Sequence, residues 1–451
     1  MLLYERFRAV CLDRSNFEGD PVSDSIAECG VVGAGGAGFP TSVKMNSKAE
    51  VFLVNAAECE PLLHKDKELL IHRAQDMFKG LRLCMERVGA RKGIIGVKGK
   101  YEAVIHALEP QLPSGVEILP LTDTYPAGDE FILVYDATGR VIPPGGLPLD
   151  VGAVVCNVET LVNVGSGQPV THKYLTIAGA VENPITLRVP VGTPIREVIA
   201  AAGGATVPQF EVLMGGTMMG KLAPNLEEPV TKTTGGLFVL PSQHLLIGRY
   251  RREWIHVDRI GKSACDQCNF CTELCPRYLL GHPIEPHKAM RALGFAPEKD
   301  RMISGTLYCC ECNLCSLISC PEDLDPKDVC AHDKPIARER KLGWTGKAED
   351  VHPHPLFPDR RTPIRRLINK LGLAGFRNTG PLVDVPMIPK SVAIPLKQHT
   401  GAACTPTVKV GEKVREGDLV GTPPQGKLGA NIHASISGRV QKVDGSVVIE
   451  A

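Results

Sequence analysis

Apolar residues alternate between strand-like and helix-like spacing along residues 30–165. Three short runs rich in β-branched residues predict strands, namely VFLVNAAE (51–58), GIIGVKG (93–99) and VEILPL (116–121). Residues 67–88 carry apolar side chains at intervals of three and four, which predicts an amphipathic helix that ends at Gly89. Residues 101–109 predict another helix. This alternation favours a three-layer α/β domain with a largely parallel sheet.

The pattern changes in the second half of the chain. Residues 170–245 predict two strands joined by a turn at Asn183, then a short helix that ends at Gly203, which together make a compact α+β module. Residues 346–385 are rich in proline and basic residues and favour a linker. The last fifty or so residues have the pattern of short strands joined by glycine turns, which predicts an all-β module.

A short basic helix is predicted inside this linker. Its apolar residues fall on one face, at Ile364, Leu367, Ile368 and Leu371. Such a face more often packs against its own chain than against a partner, so we expect the helix to pack internally.

Composition narrows the class of protein. The chain has 451 residues, enough for three or four domains, and a net charge of +1 argues against nucleic acid as the main partner. Residues 1–20 lack the layout of a signal peptide, and no apolar run is long enough to span a membrane. Sixteen cysteines without an export signal indicate a reducing cytoplasm and metal ligation rather than disulfides.

Eight of these cysteines have the spacing of iron–sulfur ligands. Each of two runs places three cysteines on a tight loop and a fourth before a proline: Cys265, Cys268, Cys271 and Cys275, then Cys309, Cys312, Cys315 and Cys320. In two-cluster ferredoxins the fourth cysteine of each run ligates the other cluster. We therefore predict two [4Fe-4S] clusters, in which Cys320 completes the first set of three and Cys275 the second. Structural zinc sites prefer separated Cys-x2-Cys pairs and are disfavoured.

The second run departs from the common spacing in two ways. Four residues rather than three precede Cys320, and Cys310 lies beside Cys309. Cys309 keeps the two-residue spacing to Cys312, so we interpret Cys309 as the ligand and Cys310 as a spare thiol.

A glycine-rich segment, GVVGAGGAGFPTSVKM (30–45), is the second chemical signature. Its glycines let the backbone approach a flat or phosphorylated ligand, and they are Gly33, Gly35, Gly36 and Gly38. The pattern is not the usual dinucleotide fingerprint, because no clear strand precedes it. By itself the segment is equally compatible with a simple turn.

Polar residues at three other places strengthen a ligand-site interpretation. Open α/β sheets bind ligands at the carboxyl ends of their strands. Polar side chains that could bind such a ligand lie in three segments. They are Asn55, Glu58 and Glu60 in VNAAECEP (54–61), Tyr125, Asp129 and Glu130 in YPAGDE (125–130), and Asn157 and Thr160 in VCNVETL (155–161).

Together these segments resemble the flavin-binding subunit of NADH–quinone oxidoreductase. The resemblance implies FMN contacts from Gly33, Gly35, Gly36, Lys44, Asn55, Glu130, Asn157 and Thr160. It implies nicotinamide-nucleotide contacts from Phe39, Glu58, Glu60 and Asp129. Two positions depart from that family, since Ala57 replaces an aspartate and Cys156 an asparagine, which implies weaker polar contacts to FMN.

The chain as a whole resembles the C subunit of Rnf-type complexes, and its domain order resembles the cobalamin reductase of bacterial 1,2-propanediol utilisation. The residues that carry the latter likeness lie at 394–445, which resembles a barrel-sandwich hybrid domain placed here at the C-terminus. The implied domains are an FMN/NADH-binding α/β domain (1–168), a β-grasp-like SLBB module (169–246), a two-cluster ferredoxin-like helical domain (247–345), a linker with a short basic helix (346–388) and the all-β hybrid domain (389–451).

The resemblance implies an oxidoreductase that passes electrons from NADH through FMN and two clusters to the cobalt of cobalamin. It further implies an adenosyltransferase and a microcompartment shell protein as partners, and a place inside a bacterial microcompartment. Two alternatives stay open: an electron-input subunit of an Rnf-like membrane complex, and a flavin-free electron-transfer scaffold.

Overall fold

The computed structural model describes residues 21–294 and 298–451. These residues fold into an α/β domain, a mixed-sheet module, a helical domain and a C-terminal β domain. The multidomain fold class predicted from the sequence is confirmed. The prediction about an export signal concerns residues 1–20, which lie outside the described residues. Across the part that is described, no helix has the length and apolar character needed to cross a membrane.

A parallel sheet in the order β3-β2-β1-β5 forms the centre of the α/β domain. Alternate residues of β1 enter two separate cores, Phe52 and Val54 on one face and Val51 and Leu53 on the other, so helices cover both faces. The elements of this domain are α1 (Pro21–Glu28), α2 (Thr41–Met45), β1 (Val51–Ala56), α3 (Lys65–His72), α4 (Ala74–Val88), β2 (Lys92–Lys98), α5 (Glu102–Leu108), β3 (Val116–Leu121), β4 (Thr124–Tyr125), α6 (Glu130–Thr138), β5 (Ala153–Asn157) and α7 (Val158–Ser166).

One predicted helix is two helices in the structure. The expectation of a single helix over 67–88 was wrong, because the backbone leaves helical geometry at Arg73, with φ −130° and ψ 25°. The predicted end at Gly89 is confirmed: this residue has φ 71°, in the left-handed region that favours glycine.

The mixed-sheet module has five strands in the order β7-β6-β10-β8-β9, with β6 and β10 parallel at the centre. One helix packs on the sheet through Ile195, Val198 and Ile199, which are buried. The elements are β6 (His172–Gly179), β7 (Ile185–Pro190), α8 (Ile195–Ala201), β8 (Phe210–Met214), β9 (Lys221–Leu222) and β10 (Gly236–Pro241).

Short helices surround the two cysteine runs in the helical domain. They are α9 (Leu245–Tyr250), α10 (Trp254–Ala264), α11 (Phe270–Glu273), α12 (Pro276–Leu279), α13 (Pro286–Ala292), α14 (Lys299–Ile303) and α15 (Pro326–Glu339). A single π-helical turn lies at Cys315–Ser319. Insertion of one residue into a helix is commonly accommodated by such a turn, which explains the extra residue before Cys320.

The segment predicted as a linker crosses back over the α/β domain. β11 (Thr362–Pro363) pairs antiparallel with β4, and α16 (Ile364–Lys370) follows it. Ile364, Leu367 and Leu371 are buried together with Leu62 of the α/β domain. The expectation that this helix packs within the chain is confirmed.

The C-terminal β domain contains two small sheets, in the orders β12-β18-β17-β14 and β13-β15-β16. Alternate residues of its strands are buried in one core, including Val392, Ile394, Val447 and Ile449. The strands are β12 (Ser391–Pro395), β13 (Thr405–Pro406), β14 (Lys413–Val414), β15 (Leu419–Thr422), β16 (Ile432–His433), β17 (Gly438–Val443) and β18 (Ser446–Glu450).

A buried lysine joins three of these domains. Lys232 of the mixed-sheet module donates from Nζ to the carbonyl oxygens of Gly30 at 2.8 Å and Asn431 at 2.7 Å. Burial lowers the pKa of its side chain to about 7. The amine is therefore partly neutral near pH 7, although an exposed lysine would be charged.

This lysine makes the stability of the junction depend on pH. In the unfolded chain the pKa of lysine is about 10.4, so above pH 7 the unfolded state binds more protons than the folded state. We expect the free energy of unfolding, relative to a Lys232→Met variant, to rise by at most about 1.4 kcal/mol per pH unit between pH 7 and 8.5. Thermal or chemical denaturation at several pH values measures this slope. The exposed Lys221 supplies the control, Lys221→Met, which should keep the wild-type slope; equal slopes in Lys232→Met and wild type would contradict the prediction.

Candidate flavin and iron–sulfur sites

The glycine-rich segment forms a closed loop at the carboxyl edge of the parallel sheet. The amide of Gly33 donates to the carbonyl of Phe39 at 2.9 Å, and the amide of Thr41 donates to the carbonyl of Val31 at 3.0 Å. Between these bonds, residues 35–37 are exposed. A Cβ added to Gly36 would meet no protein atom within 4 Å, so the backbone there faces open space. The loop is therefore free to lie against a flat ligand.

Side chains at the ends of β1 and β5 form the floor below this loop. Asn55 Nδ2 donates to the carbonyl of Gly128 at 2.8 Å, and Asn157 Nδ2 donates to Asp66 Oδ2 at 2.7 Å. A Cβ on Gly35 would lie only 3.0 Å from the Asn157 side chain, so glycine permits this close approach. The structure thus brings together Gly35, Asn55 and Asn157, three of the residues predicted to contact FMN.

Thr160 and Lys44 hold the loop and its surroundings in place. Thr160 Oγ1 accepts a hydrogen bond from the amide of Ala34 at 2.9 Å. Lys44 Nζ donates to the carbonyl of Val155 at 2.8 Å and lies 3.5 Å from Glu130 Oε1. Both residues predicted to contact FMN therefore already have partners within the protein.

A buried charge network, which the sequence reasoning missed, lies beneath the loop. Lys65 Nζ lies 2.6 Å from Asp66 Oδ1 and 3.1 Å from Glu159 Oε2. Lys173 pairs with the same Glu159 and donates to the carbonyl of Ala34 at 2.9 Å. Burial lowers the pKa of Lys173 to about 8. Two cations paired with two carboxylates balance each other in charge, and both lysines are buried, so the network fixes the backbone beneath the loop without presenting free positive charge.

Glu58 fixes the start of α3. Its carboxylate accepts hydrogen bonds from the amides of Asp66 at 2.6 Å and Lys67 at 3.2 Å. Its backbone lies in the left-handed region, with φ 37°, which is uncommon for a non-glycine residue. Burial and the nearby charge of Asp66 raise the pKa of Glu58 to about 7. The predicted contact of this residue with a nucleotide remains a prediction.

Glu60 contacts the mixed-sheet module. Its carboxylate accepts from the amides of Met218 at 2.8 Å and Met219 at 3.0 Å. A Cβ on Gly216 would lie 2.4 Å from this carboxyl carbon, which shows how closely the loop approaches. Loss of contact with water raises the pKa of Glu60. The structure therefore gives it an interdomain role that the sequence did not predict.

We expect Glu60→Gln to lower the free energy of unfolding by about 1–3 kcal/mol, because one of the two amides then faces an NH2 group and loses its acceptor. A shift in the thermal denaturation midpoint measures this loss. The control is Glu227→Gln, since Glu227 is an exposed residue of the same module paired with the exposed Arg196. A midpoint for Glu60→Gln no lower than that of the control would contradict the prediction.

Two further predicted residues lie at the edge of the site. Phe39 is half-buried against Leu147. Gly38 has φ 70°, and a Cβ there would lie 2.8 Å from Thr233 and 3.1 Å from the carbonyl of Gln398. This glycine is therefore required for packing against two other domains, whether or not it contacts a cofactor.

The two departures from the flavin-subunit pattern are both buried. Ala57 lies in the core below β1, and Cys156 packs in the core on the other face of the sheet. Burial raises the pKa of the Cys156 thiol to about 11. The predicted effect of these residues on FMN affinity remains a prediction.

Four of the predicted cluster ligands line one small cavity. We call them the outer cysteine set: Cys265, Cys268, Cys271 and Cys320. The Cys271 thiol lies close enough to the other three thiols to interact with them electrostatically. Cys320 comes from the second run, so the cavity brings together the combination that cross-ligation requires.

The other four form the inner cysteine set: Cys275, Cys309, Cys312 and Cys315. The thiol of Cys315 interacts with those of Cys309 and Cys275, and the thiol of Cys312 interacts with that of Cys275. No three Cys, His, Asp or Glu side chains within residues 21–294 and 298–451 converge on a point as the ligands of a single metal ion. The donor chemistry of both sets, four thiols from two loops, fits a [4Fe-4S] cluster.

The backbone of the two loops has the same form. Gln267 and Asn269 have positive φ values of 57° and 69°, and Glu311 and Asn313 have values of 59° and 67°. These residues lie two and four positions after Cys265 and Cys309, so Cys309 occupies the position equivalent to Cys265. This equivalence supports Cys309 as the ligand.

Two more thiols lie close to the inner cysteine set. Cys310 lies close to Cys312 and Cys275, and Cys309 packs against the core that contains Cys330 of α15. The spacing of the cysteines could not have predicted that Cys330 lies near the inner cysteine set, because this residue lies outside any Cys-x2-Cys pattern.

Family models match four parts of the chain. They are the Nuo51 FMN-binding domain at residues 26–166, the SLBB domain at 174–222, a 4Fe-4S dicluster domain at 264–325 and the RnfC barrel sandwich hybrid domain at 378–451. The chain thus has an FMN-binding domain and a dicluster domain, as the sequence predicted.

Full-length relatives decide the family. Cobalamin reductase PduS of Salmonella typhimurium is 42% identical over 94% of this chain and 95% of its own length. The chain belongs to the PduS family. PduS of Citrobacter freundii is 41% identical, over 96% of this chain and 97% of its own. The C subunit of the Na+-translocating ferredoxin:NAD+ oxidoreductase complex of Acetobacterium woodii is 34% identical, but over only 58% of this chain and 59% of its own length. The resemblance to the cobalamin reductase and to the Rnf C subunit, which the motifs indicated, is therefore confirmed. The similarity to PduS extends over all four domains.

Proposed function

We propose that this PduS-family protein oxidises NADH and delivers the electrons, one at a time, to the cobalt of cobalamin. The observation that carries the proposal is the combination, in one chain, of a glycine-loop site at the carboxyl edge of a parallel sheet with two sets of four cysteines. Relatives that match nearly the whole chain have the name cobalamin reductase.

The residues of the site are compatible with FMN. The space above Gly36 is open, and the backbone of residues 35–37 beside it is exposed. We propose that Asn55, Asn157 and Glu130 contact the flavin from below. When bound, FMN supplies the conversion between two-electron hydride chemistry and single-electron transfer.

The reaction balances without any further oxidant. One NADH yields NAD+, a proton and two electrons, which reduce two cob(III)alamin to two cob(II)alamin or one cob(III)alamin to cob(I)alamin. The protein's own residues hold the reactants in position and are not consumed.

Anaerobic assay of the reconstituted protein tests the proposal. We expect NADH-dependent reduction of hydroxocobalamin, with one NADH consumed per two cob(II)alamin formed, and a flavin absorbance spectrum in the purified protein. Reduction of ferredoxin or quinone but not of cobalamin would favour an Rnf-like input subunit. Assembled clusters in a protein that binds no flavin would favour the electron-transfer scaffold.

The same proposal extends to partners and location. Cob(I)alamin is a short-lived nucleophile, so an adenosyltransferase that consumes it is the expected neighbour. We propose that both act inside a bacterial microcompartment in contact with a shell protein. Co-purification of the chain with intact microcompartments tests this placement, and its absence from them would reject it.

A further inference from the structure

The loop of the inner cysteine set packs against the α/β domain, which carries the glycine loop, and against the mixed-sheet module. Residues 312–319 are buried. The Tyr125 hydroxyl donates to the carbonyl of Cys312 at 2.8 Å, and Asn313 Nδ2 donates to the carbonyl of Met218 at 3.1 Å. This loop is therefore fixed directly to the domain that carries the glycine loop.

A partly buried ion pair makes a second connection between the flavin site and the inner cysteine set. Asp129 Oδ2 lies 2.8 Å from the guanidinium of Arg277, two residues after Cys275, and this guanidinium lies 3.5 Å from the centre of the Phe131 ring. Gly128, the neighbour of Asp129, accepts the hydrogen bond from Asn55 on the floor of the flavin site. Asn55, residues 128–129 and Arg277 thus form a continuous path to Cys275.

The outer cysteine set lies at the surface instead. Residues 266–270 are all exposed, Cys268 among them, and 48% of the Phe270 surface is accessible. The cavity of this set is lined by other residues of the helical domain, such as Met290 and Leu324. An acceptor in solution can approach it at residues 266–270.

We propose that electrons from the flavin site reach the inner cysteine set first and leave the protein from the outer set, at the face formed by residues 266–270. Electron transfer slows steeply as the gap between centres widens, so the enclosed set next to the flavin domain receives electrons and the exposed set passes them to the acceptor. Each NADH then sends two electrons singly along this one route. The direction of the route rests on the proposed function, whereas the difference in exposure does not.

Two variants of the full chain, reconstituted anaerobically with FMN, iron and sulfide, test the order. In Cys268→Ala, NADH should reduce the remaining cluster at the wild-type rate by rapid-freeze EPR, while transfer to hydroxocobalamin is lost. In Cys312→Ala, NADH should bleach the flavin absorbance and leave the remaining cluster oxidised, although dithionite reduces it. Fast reduction of that cluster by NADH would overturn the order.

A measurement on the wild type keeps the test decisive if Cys312→Ala loses both clusters. A soluble dysprosium chelate accelerates the relaxation of exposed paramagnetic centres. We expect it to act on the EPR signal that Cys268→Ala removes and to spare the other signal. Equal effects on both signals, or a stronger effect on the inner one, would overturn the proposal. A wild type whose flavin is not reduced by NADH would instead contradict the proposed function, while the chelate result would still report exposure.

Discussion

Cys275→Ala is expected to abolish the cluster of the inner cysteine set and to leave the outer cluster intact, although Cys275 belongs to the first run of the sequence. The thiol of Cys275 interacts with those of Cys310 and Cys309, and the thiol of Cys271 interacts with that of Cys320, so both contacts are with the second run. Each cluster thus depends on a cysteine from the other run. EPR of the dithionite-reduced protein should show that Cys275→Ala and Cys309→Ala lose the same signal. Iron content should fall from about eight to about four atoms per chain.

Matched variants distinguish this specific loss of one cluster from a general loss of folding. Cys271→Ala should remove the other signal, and Cys310→Ala should keep both, because Cys310 lies outside the loop position equivalent to Cys265. Cys404→Ala, in the core of the C-terminal domain, controls for loss of a buried thiol. If Cys275→Ala loses the signal that Cys271→Ala loses, the cross-ligation is wrong. Loss of a cluster in Cys310→Ala would make that residue the ligand.

The second large effect is expected for Gly36→Val. A Cβ at residue 36 meets no protein atom within 4 Å, so the domain should fold normally. It would instead project into the space assigned to FMN and the nicotinamide ring. We expect NADH oxidation to be abolished while both clusters assemble and accept electrons from dithionite, since a Cβ at this position disturbs no contact within the protein. Stopped-flow absorbance with NADH, together with iron and flavin content, measures both parts.

Gly445→Val is the matched control for this variant. Gly445 also has open space around its Cβ position, but it lies in the turn between β17 and β18, in a different domain. It should oxidise NADH as the wild type does. Normal NADH kinetics in Gly36→Val would reject the flavin site and favour the scaffold, with electrons supplied by a partner protein.

Local patterns allowed much of the fold to be predicted. The strands near 51–58, 93–99 and 116–121 and the helix end at Gly89 depend on side-chain periodicity and on the backbone freedom of glycine, which neighbouring residues determine. The spacing of the cysteines is likewise local. For this reason the parallel sheet and the dicluster domain were predicted correctly.

Features that depend on distant residues were not predicted. Lys65 and Glu159 are charged and stand in helical segments, where such residues are usually exposed, and only the packing of β6 against α7 buries them. The break at Arg73 interrupts an otherwise continuous helical periodicity. Pairing of β11 with β4 joins segments more than two hundred residues apart. No pattern within one segment carries information of this kind.

The contact between the glycine loop and the C-terminal domain has a consequence for how the protein is made. The amide of Thr400 donates to the carbonyl of Gly38 at 3.1 Å, and its hydroxyl donates to the carbonyl of Ala37 at 2.8 Å. Domains form in order as a chain leaves the ribosome, and residue 400 emerges more than 350 residues after Gly38. The nascent α/β domain therefore lacks the outer support of its glycine loop until the C-terminal β domain has been made. The final shape of the loop thus depends on the folding of a domain that is synthesised much later.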